Sequence, residues 1–242
     1  MHERIDPYLD KNIIQLSRQG HIRRYLKVMS SIIDIADDTK ILDAGCGYGY
    51  GSYLLSQKSS QVIGLDSSED AINYAQQNYL KSNITYIRDS IESCNLNTLG
   101  DQDIIACFEV LEHVDNPNEV LKFFYNLLKK NHGYLFISTP NASNASCNNE
   151  YHHQVFKIND ILLLLKNNRF EIKAMFGQYP LLGSVAQVMR KVTNYDTHTD
   201  KRSGYVPQVF DTLPLFSNIF SRIYRGRIAT VTGRTLYFIA HA

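Results

Sequence analysis

The chain has 242 residues, enough for one large core or two small ones. Hydrophobic residues make up 44% of it and charged residues 20%, a composition that excludes a disordered chain. With 25 basic against 24 acidic side chains the net charge is +1, which removes any broad electrostatic basis for gripping a nucleic-acid backbone.

The first element in chain order is a helix over residues 22–36, where Tyr25, Val28, Met29, Ile32 and Ala36 recur at helical spacing. A short buried strand, residues 41–45, enters a glycine-rich turn, and helical sequence follows from Ser52. A second apolar strand covers 61–65. Ser67 with Asp70 three positions later forms a capping-box pattern for the next helix. Strands at 84–87, 103–108 and 134–138 alternate with helices at 118–128 and 158–168. Strands at 170–176 and 234–241 close the chain, with more than fifty residues between them. This alternation predicts an α/β fold with a parallel sheet covered on both faces, binding its ligand beyond the carboxyl ends of the strands.

No stretch is long and apolar enough to span a bilayer, and the polar N-terminus lacks the apolar core of a secretory signal. The four cysteines, at 46, 94, 107 and 147, form no CxxC pair, so a reduced, cytoplasmic protein is expected.

The most informative segment is ILDAGCGYGYGSYLL, residues 41–55. Gly45, Gly47 and Gly49 permit a tight strand-to-helix turn and close backbone approach to a ligand. A nicotinamide fingerprint requires G-x-G-x-x-G, and counting from Gly45 or Gly47 the last position is Tyr50 or Ser52, so neither start fits. Asp43 is placed to organise the loop and to face a cationic ligand. Asp66, at the end of the second strand, can accept hydrogen bonds from two ribose hydroxyls, or can act only as a helix cap. Asp89 follows the third strand, where it can receive an adenine amine or simply face solvent.

In this order the segments resemble the class I S-adenosylmethionine-dependent methyltransferases. The resemblance implies a Rossmann-like sandwich with a mostly parallel seven-stranded sheet and S-adenosylmethionine as cofactor. It also implies that Gly45, Gly47 and Gly49 approach the amino-acid part of the cofactor, Asp66 the ribose and Asp89 the adenine. The fourth-strand signature is CFEVLEHVDNP at 107–117, which puts Phe108 and Glu109 beside the methionine portion and leaves Leu111, Glu112 and His113 to flank the pocket. Residues 38–178 are the expected cofactor core, 1–37 a helical extension, and 179–232 a substrate cap inserted before the last strand of this single domain. Tyr205, Phe210 and Tyr224 are candidate acceptor contacts or core residues of that cap.

A narrower likeness rests on RRY (23–25), STPN (138–141), YHHQVF (151–156) and GQ (177–178), which resemble methyltransferases associated with glycans and other small metabolites. FEVLEH is also similar to the quinone-biosynthesis O-methyltransferases. The likeness implies His152 as general base, with His113 as the second candidate; a helix-capping or packing role for His152 stands beside it. Val155 stands where the glycan type carries an acidic residue.

The expected acceptor is a small hydroxylated molecule such as a sugar nucleotide or glycan precursor. A quinone or phenol hydroxyl, a nitrogen acceptor, and a noncatalytic regulatory role are the alternatives. Some related quinone enzymes place acidic and histidine residues around a metal, and Glu109, Glu112 and His113 have those chemical types. No required metal is expected. A homodimer is compatible with the sequence.

Overall fold

The computed structural model of the protein describes residues 6–9, 15–31, 38–143, 151–178, 223–225 and 235–242. Helix α1 (Gln15–Ser31) leads into β1 (Lys40–Ala44), α2 (Tyr50–Leu55), β2 (Gln61–Asp66), α3 (Glu69–Asn78) and β3 (Ile84–Arg88). A short α4 (Leu96–Leu99) precedes β4 (Ile104–Phe108), a 3-10 turn (Leu111–His113), α5 (Pro117–Leu128) and β5 (Tyr134–Pro140). The chain ends with α6 (Ile158–Asn167), β6 (Glu171–Gln178), β7 (Ile223–Arg225) and β8 (Thr235–His241).

The strands form one sheet in the order β3-β2-β1-β4-β5-β8-β6-β7. Neighbours from β3 to β5 are parallel, and β8 inserts antiparallel between β5 and β6. Among the described residues eight strands stand where seven were expected, because three-residue β7 pairs antiparallel with Phe176–Gln178 at the sheet edge. β7 falls inside the expected cap; the rest of 179–232, including Tyr205 and Phe210, lies outside the described residues.

Alternation along each strand builds a core on either face. Ile41, Val62, Ile104, Ala106 and Phe136 face one side, where they pack with Tyr25 and Val28 of α1, Leu55 of α2 and Ile72 and Ala75 of α3. Leu42, Ile63, Ile105, Leu135 and Ile137 face the other, against Leu99, Val120, Phe124, Ile161 and Leu165 of α4, α5 and α6. Both faces are therefore buried, which is why these strands read as continuous apolar runs.

Two local boundaries differ from the sequence pattern. Helix α1 starts at Gln15 rather than Ile22, because its first turns carry no apolar periodicity to reveal them; the expected end at Ala36 lies outside the described residues. The cap of α3 is Ser68 rather than Ser67, its hydroxyl accepting from the Ala71 N–H at 3.3 Å. The Asp66 carboxylate takes the Ser68 N–H at 2.9 Å and so fixes where the chain turns. Among the described residues no helix is long and apolar enough to cross a membrane.

Candidate active site

The strand order reverses between β1 and β4, and a crevice opens beyond their carboxyl ends, where parallel sheets take ligands. A cavity of about 330 Å³ lies there. Its walls come from Gly45, Gly47 and Tyr48 of the glycine loop, Asp66, Asp89, the Phe108–Val110 strand end, and His21, Arg24 and Tyr25 of α1. Helix α1 is thus part of the site as well as of the core.

The loop is held by the end of β2. The Gly45 and Cys46 N–H groups donate to the Leu65 carbonyl at 2.8 and 3.0 Å, and Gly47 N–H donates to Asp66 Oδ2 at 2.9 Å. Gly47 is left-handed (φ 52°), and a Cβ there would meet nothing within 4 Å, so its backbone borders open space. Asp89 is anchored alongside, its N–H donating to the Asp66 carbonyl at 3.2 Å.

Asp43 was expected to face a cationic ligand, but it does not border the cavity. Its carboxylate is buried beneath the turn, accepting from Ser52 Oγ at 2.7 Å and Tyr25 Oη at 3.1 Å. Burial pushes its pKa from 3.8 up to about 7. His21, within 3.2 Å of Tyr50 Oη, is shifted the other way, from 6.5 down to about 3, by burial and then by the Arg24 charge.

These shifts act oppositely on stability. Between about pH 6.5 and 3 the unfolded chain binds a proton at His21 that the fold refuses, so stability is lost as pH falls. Between about pH 4 and 7 the fold keeps a proton on Asp43 that the unfolded chain releases, so stability is lost as pH rises. Asp43→Asn mimics the neutral acid. Urea unfolding of this variant should therefore lose less stability than the parent between about pH 4 and 7. Equal slopes would show that Asp43 ionises normally in the fold.

At the end of β4, Glu109 adopts a left-handed conformation (φ 57°), a strain of about 1–2 kcal/mol for a residue with a Cβ. Its N–H donates to the Ser138 carbonyl at 3.0 Å, and Ser138 Oγ donates to Glu109 Oε1 at 2.8 Å. Buried Arg24 lies 3.8 Å from the same oxygen and donates through Nε to Gln178 Oε1 at 3.0 Å. Gln178 in turn donates to the Gly20 carbonyl at 3.0 Å, tying α1 to β6 across the mouth of the site. His21 and Arg24 were not singled out as site residues. RRY and GQ carried the signal for Arg24 and Gln178, yet only the fold brings their positions together.

The 3-10 turn after β4 directs a second group away from Glu109. Glu112 is buried (1% exposed) and accepts from Thr139 Oγ1 at 3.2 Å. Its other oxygen, Oε1, has no hydrogen-bond partner among the described residues. Burial, then the nearby Glu109 charge, raises the Glu112 pKa well above the carboxylate range. His113 donates from Nδ1 to the Tyr151 carbonyl at 2.8 Å, and its ring meets His152 edge-on, 4.9 Å between centroids. The His153 N–H donates to the Glu112 carbonyl at 2.8 Å, stitching the loop that carries His152 onto this turn. Glu112, His113 and His152 each place a ligand-capable atom within 4.8 Å of the others. His113 borders the cavity; His152 stands behind it, outside the lining.

The arrangement matches known proteins. A family model described as a methyltransferase domain matches residues 35–198. The ubiquinone biosynthesis O-methyltransferase of Shewanella pealeana is 34% identical over 106 residues, 43% of this chain and 44% of that one. The Escherichia coli O9:H4 protein of the same name is 29% identical over 154 residues, 63% and 62% of the two chains. The chain thus spans about two fifths to three fifths of the length of these relatives. In fold, it is similar to magnesium protoporphyrin IX methyltransferase from Synechocystis PCC 6803 with bound SAH: TM-score 0.62, 17% identity, covering 97% of this chain and 90% of that one. A methyltransferase from Archaeoglobus fulgidus gives a TM-score of 0.57 at 21% identity, covering 92% and 94%. Because the family match takes in the glycine loop, the acids ending β2 and β3, and the turn after β4, the chain belongs to the methyltransferase domain family, the class I S-adenosylmethionine-dependent methyltransferases.

Proposed function

We propose that the chain transfers the methyl group of S-adenosylmethionine to a hydroxyl oxygen of a small quinone- or phenol-type acceptor. The observation that carries this reading is a single cavity whose wall changes character along its length. Asp66 and Asp89 suit the nucleoside end, Gly47 the amino-acid part of the cofactor, and buried Arg24 supplies a cation for the methionine carboxylate. His113 and the Glu112 and His152 side chains behind it mark the acceptor end.

The sulfonium is already a strong leaving group, so the protein's main task is alignment. The acceptor oxygen uses a lone pair to form the new C–O bond. The C–S electrons return to sulfur, and the acceptor proton passes to Nε2 of His113, whose Nδ1 proton is held by the Tyr151 carbonyl.

The sugar or glycan-precursor acceptor gives way to this reading. The two curated relatives described above carry a quinone-biosynthesis name, and Val155, 43% exposed, puts an apolar side chain on the loop of His152. Incubation with methyl-labelled cofactor and a panel of catechols, hydroquinones, sugar nucleotides and amines, followed by product mass analysis, tests it. Label should appear on a phenolic oxygen. Label on a sugar or a nitrogen alone overturns the acceptor class; saturable cofactor binding without any transfer favours the noncatalytic role.

A further inference from the structure

The glycine loop is backed by a short strap, residues 6–9, that lies ahead of residue 35, where the family match begins. We infer that Asp6 is a positioning residue of the cofactor site, bracing Tyr48 and Tyr50 from outside the cavity through this strap. The inference rests on the cofactor occupying the cavity and is independent of the acceptor class.

Asp6 is 3% exposed, and its partners among the described residues are all neutral donors. Oδ1 accepts from the Tyr8 and Leu9 N–H groups at 2.9 and 3.0 Å, an Asx turn that folds the strap back on itself. The Tyr74 hydroxyl of α3 donates to Oδ2 at 2.9 Å. The hydroxyl of Tyr79, the C-cap of α3, lies 2.9 Å from both oxygens. Burying a carboxylate without a paired cation stabilises a chain end less than apolar packing does. Its use lies in where it holds its partners.

Those partners reach the cofactor loop on both sides of Gly49. Tyr48 and Tyr50 flank that glycine, and both border the cavity. The Tyr74 ring lies against Tyr48, with centroids 4.4 Å apart and a tilt of 35°. The Tyr8 ring meets Tyr50 edge-on at 6.5 Å. Through Oδ2 the carboxylate fixes the ring behind Tyr48, and through Oδ1 the turn that carries Tyr8. Tyr48 needs such a brace, because it stands between Gly47 and Gly49, both left-handed and both without a Cβ to restrict the backbone. The strap residues themselves do not border the cavity, so they act on it only through these rings.

Asp6→Asn keeps one acceptor oxygen for the turn and replaces the other with a donor, which cannot accept the Tyr74 proton. Calorimetric titration of the full-length variant should show S-adenosylhomocysteine binding weakened by about tenfold. Tyr74→Phe keeps the ring and loses the hydroxyl, and it should give a similar loss. The double variant should match Asp6→Asn within about twofold, because both substitutions cut one path. Hydrogen exchange of the cofactor-free protein gives a readout without ligand. Amides of residues 47–49 should exchange faster in Asp6→Asn, while those of β1 and β4 keep the parent rates.

Either parent-like affinity or parent-like loop exchange in folded Asp6→Asn overturns the inference and leaves the strap a stabilising contact. So does full additivity of the two substitutions, which separates Asp6 from Tyr74. If Asp6→Asn does not fold, parent-like affinity in Tyr74→Phe overturns it. A parent chain that binds no S-adenosylhomocysteine overturns the cofactor assignment and this inference together; one that binds but transfers no methyl group overturns the proposed reaction alone.

Discussion

Asp66→Ala should weaken S-adenosylmethionine binding by at least ~10²-fold. The carboxylate ends β2 with each oxygen already taking one backbone N–H, Oδ2 from Gly47 and Oδ1 from Ser68. An ionised oxygen has further acceptor capacity, and the residue borders the cavity. Two ribose hydroxyls placed there would therefore meet a carboxylate that is already oriented. Hydrogen bonds to a charged group contribute about 1.5–3 kcal/mol each, and about 1.4 kcal/mol is tenfold in affinity. The same substitution strips the Gly47 N–H of its partner, so part of the loss comes from a looser loop.

Asp66→Asn separates the two effects. It keeps one acceptor oxygen and should fall between alanine and the parent. Calorimetric titration of each folded variant with S-adenosylhomocysteine decides the matter. Alanine binding within about threefold of the parent would reduce Asp66 to a helix-cap residue, the alternative that its place before α3 allowed.

The alternation of strands and helices was legible because burial on both faces of the sheet leaves unbroken apolar runs such as Ile41–Leu42 and Ile104–Ile105. The glycine loop was legible because its conformation restricts residue type: Gly45, Gly47 and Gly49 all have positive φ. Arg24 was hidden because a charged residue within a helix reads as a solvated face. Its burial depends on Gln178, 154 positions away, which supplies the acceptor. Asp43 misled for a related reason. An acid beside a ligand loop suggests a ligand contact, but β1 alternation turns its side chain beneath the loop, toward Ser52 and Tyr25. The acceptor end was half legible. FEVLEH presents Glu109 and Glu112 as a pair, and nothing in their spacing reveals that a left-handed residue and two consecutive β5 side chains separate them.

Alanine at Gly49 and at Gly47 should do opposite things to stability and binding, although the two positions lie in one loop. Gly49 has φ 84°, and a Cβ there would stand 2.6 Å from the Ala75 Cβ and 2.7 Å from the Tyr86 hydroxyl. Ala75 is fixed in α3 and fully buried, so it cannot swing aside. Tyr86 Oη is held by donating toward the Gly49 and Tyr79 carbonyls at 3.2 and 3.1 Å. Left-handed backbone adds about 1–2 kcal/mol and overpacking about 1–3 kcal/mol, so Gly49→Ala should destabilise the fold by roughly 2–5 kcal/mol. Gly47→Ala meets no atom within 4 Å and has φ 52°, so it incurs only the backbone term. Its methyl group instead enters the space where the cofactor backbone must approach. Urea unfolding should show Gly49→Ala as the severe lesion, and cofactor titration should show tenfold or greater loss in folded Gly47→Ala. If Gly47→Ala binds as the parent does, the cofactor does not lie against this loop, and the cavity must be assigned to another ligand.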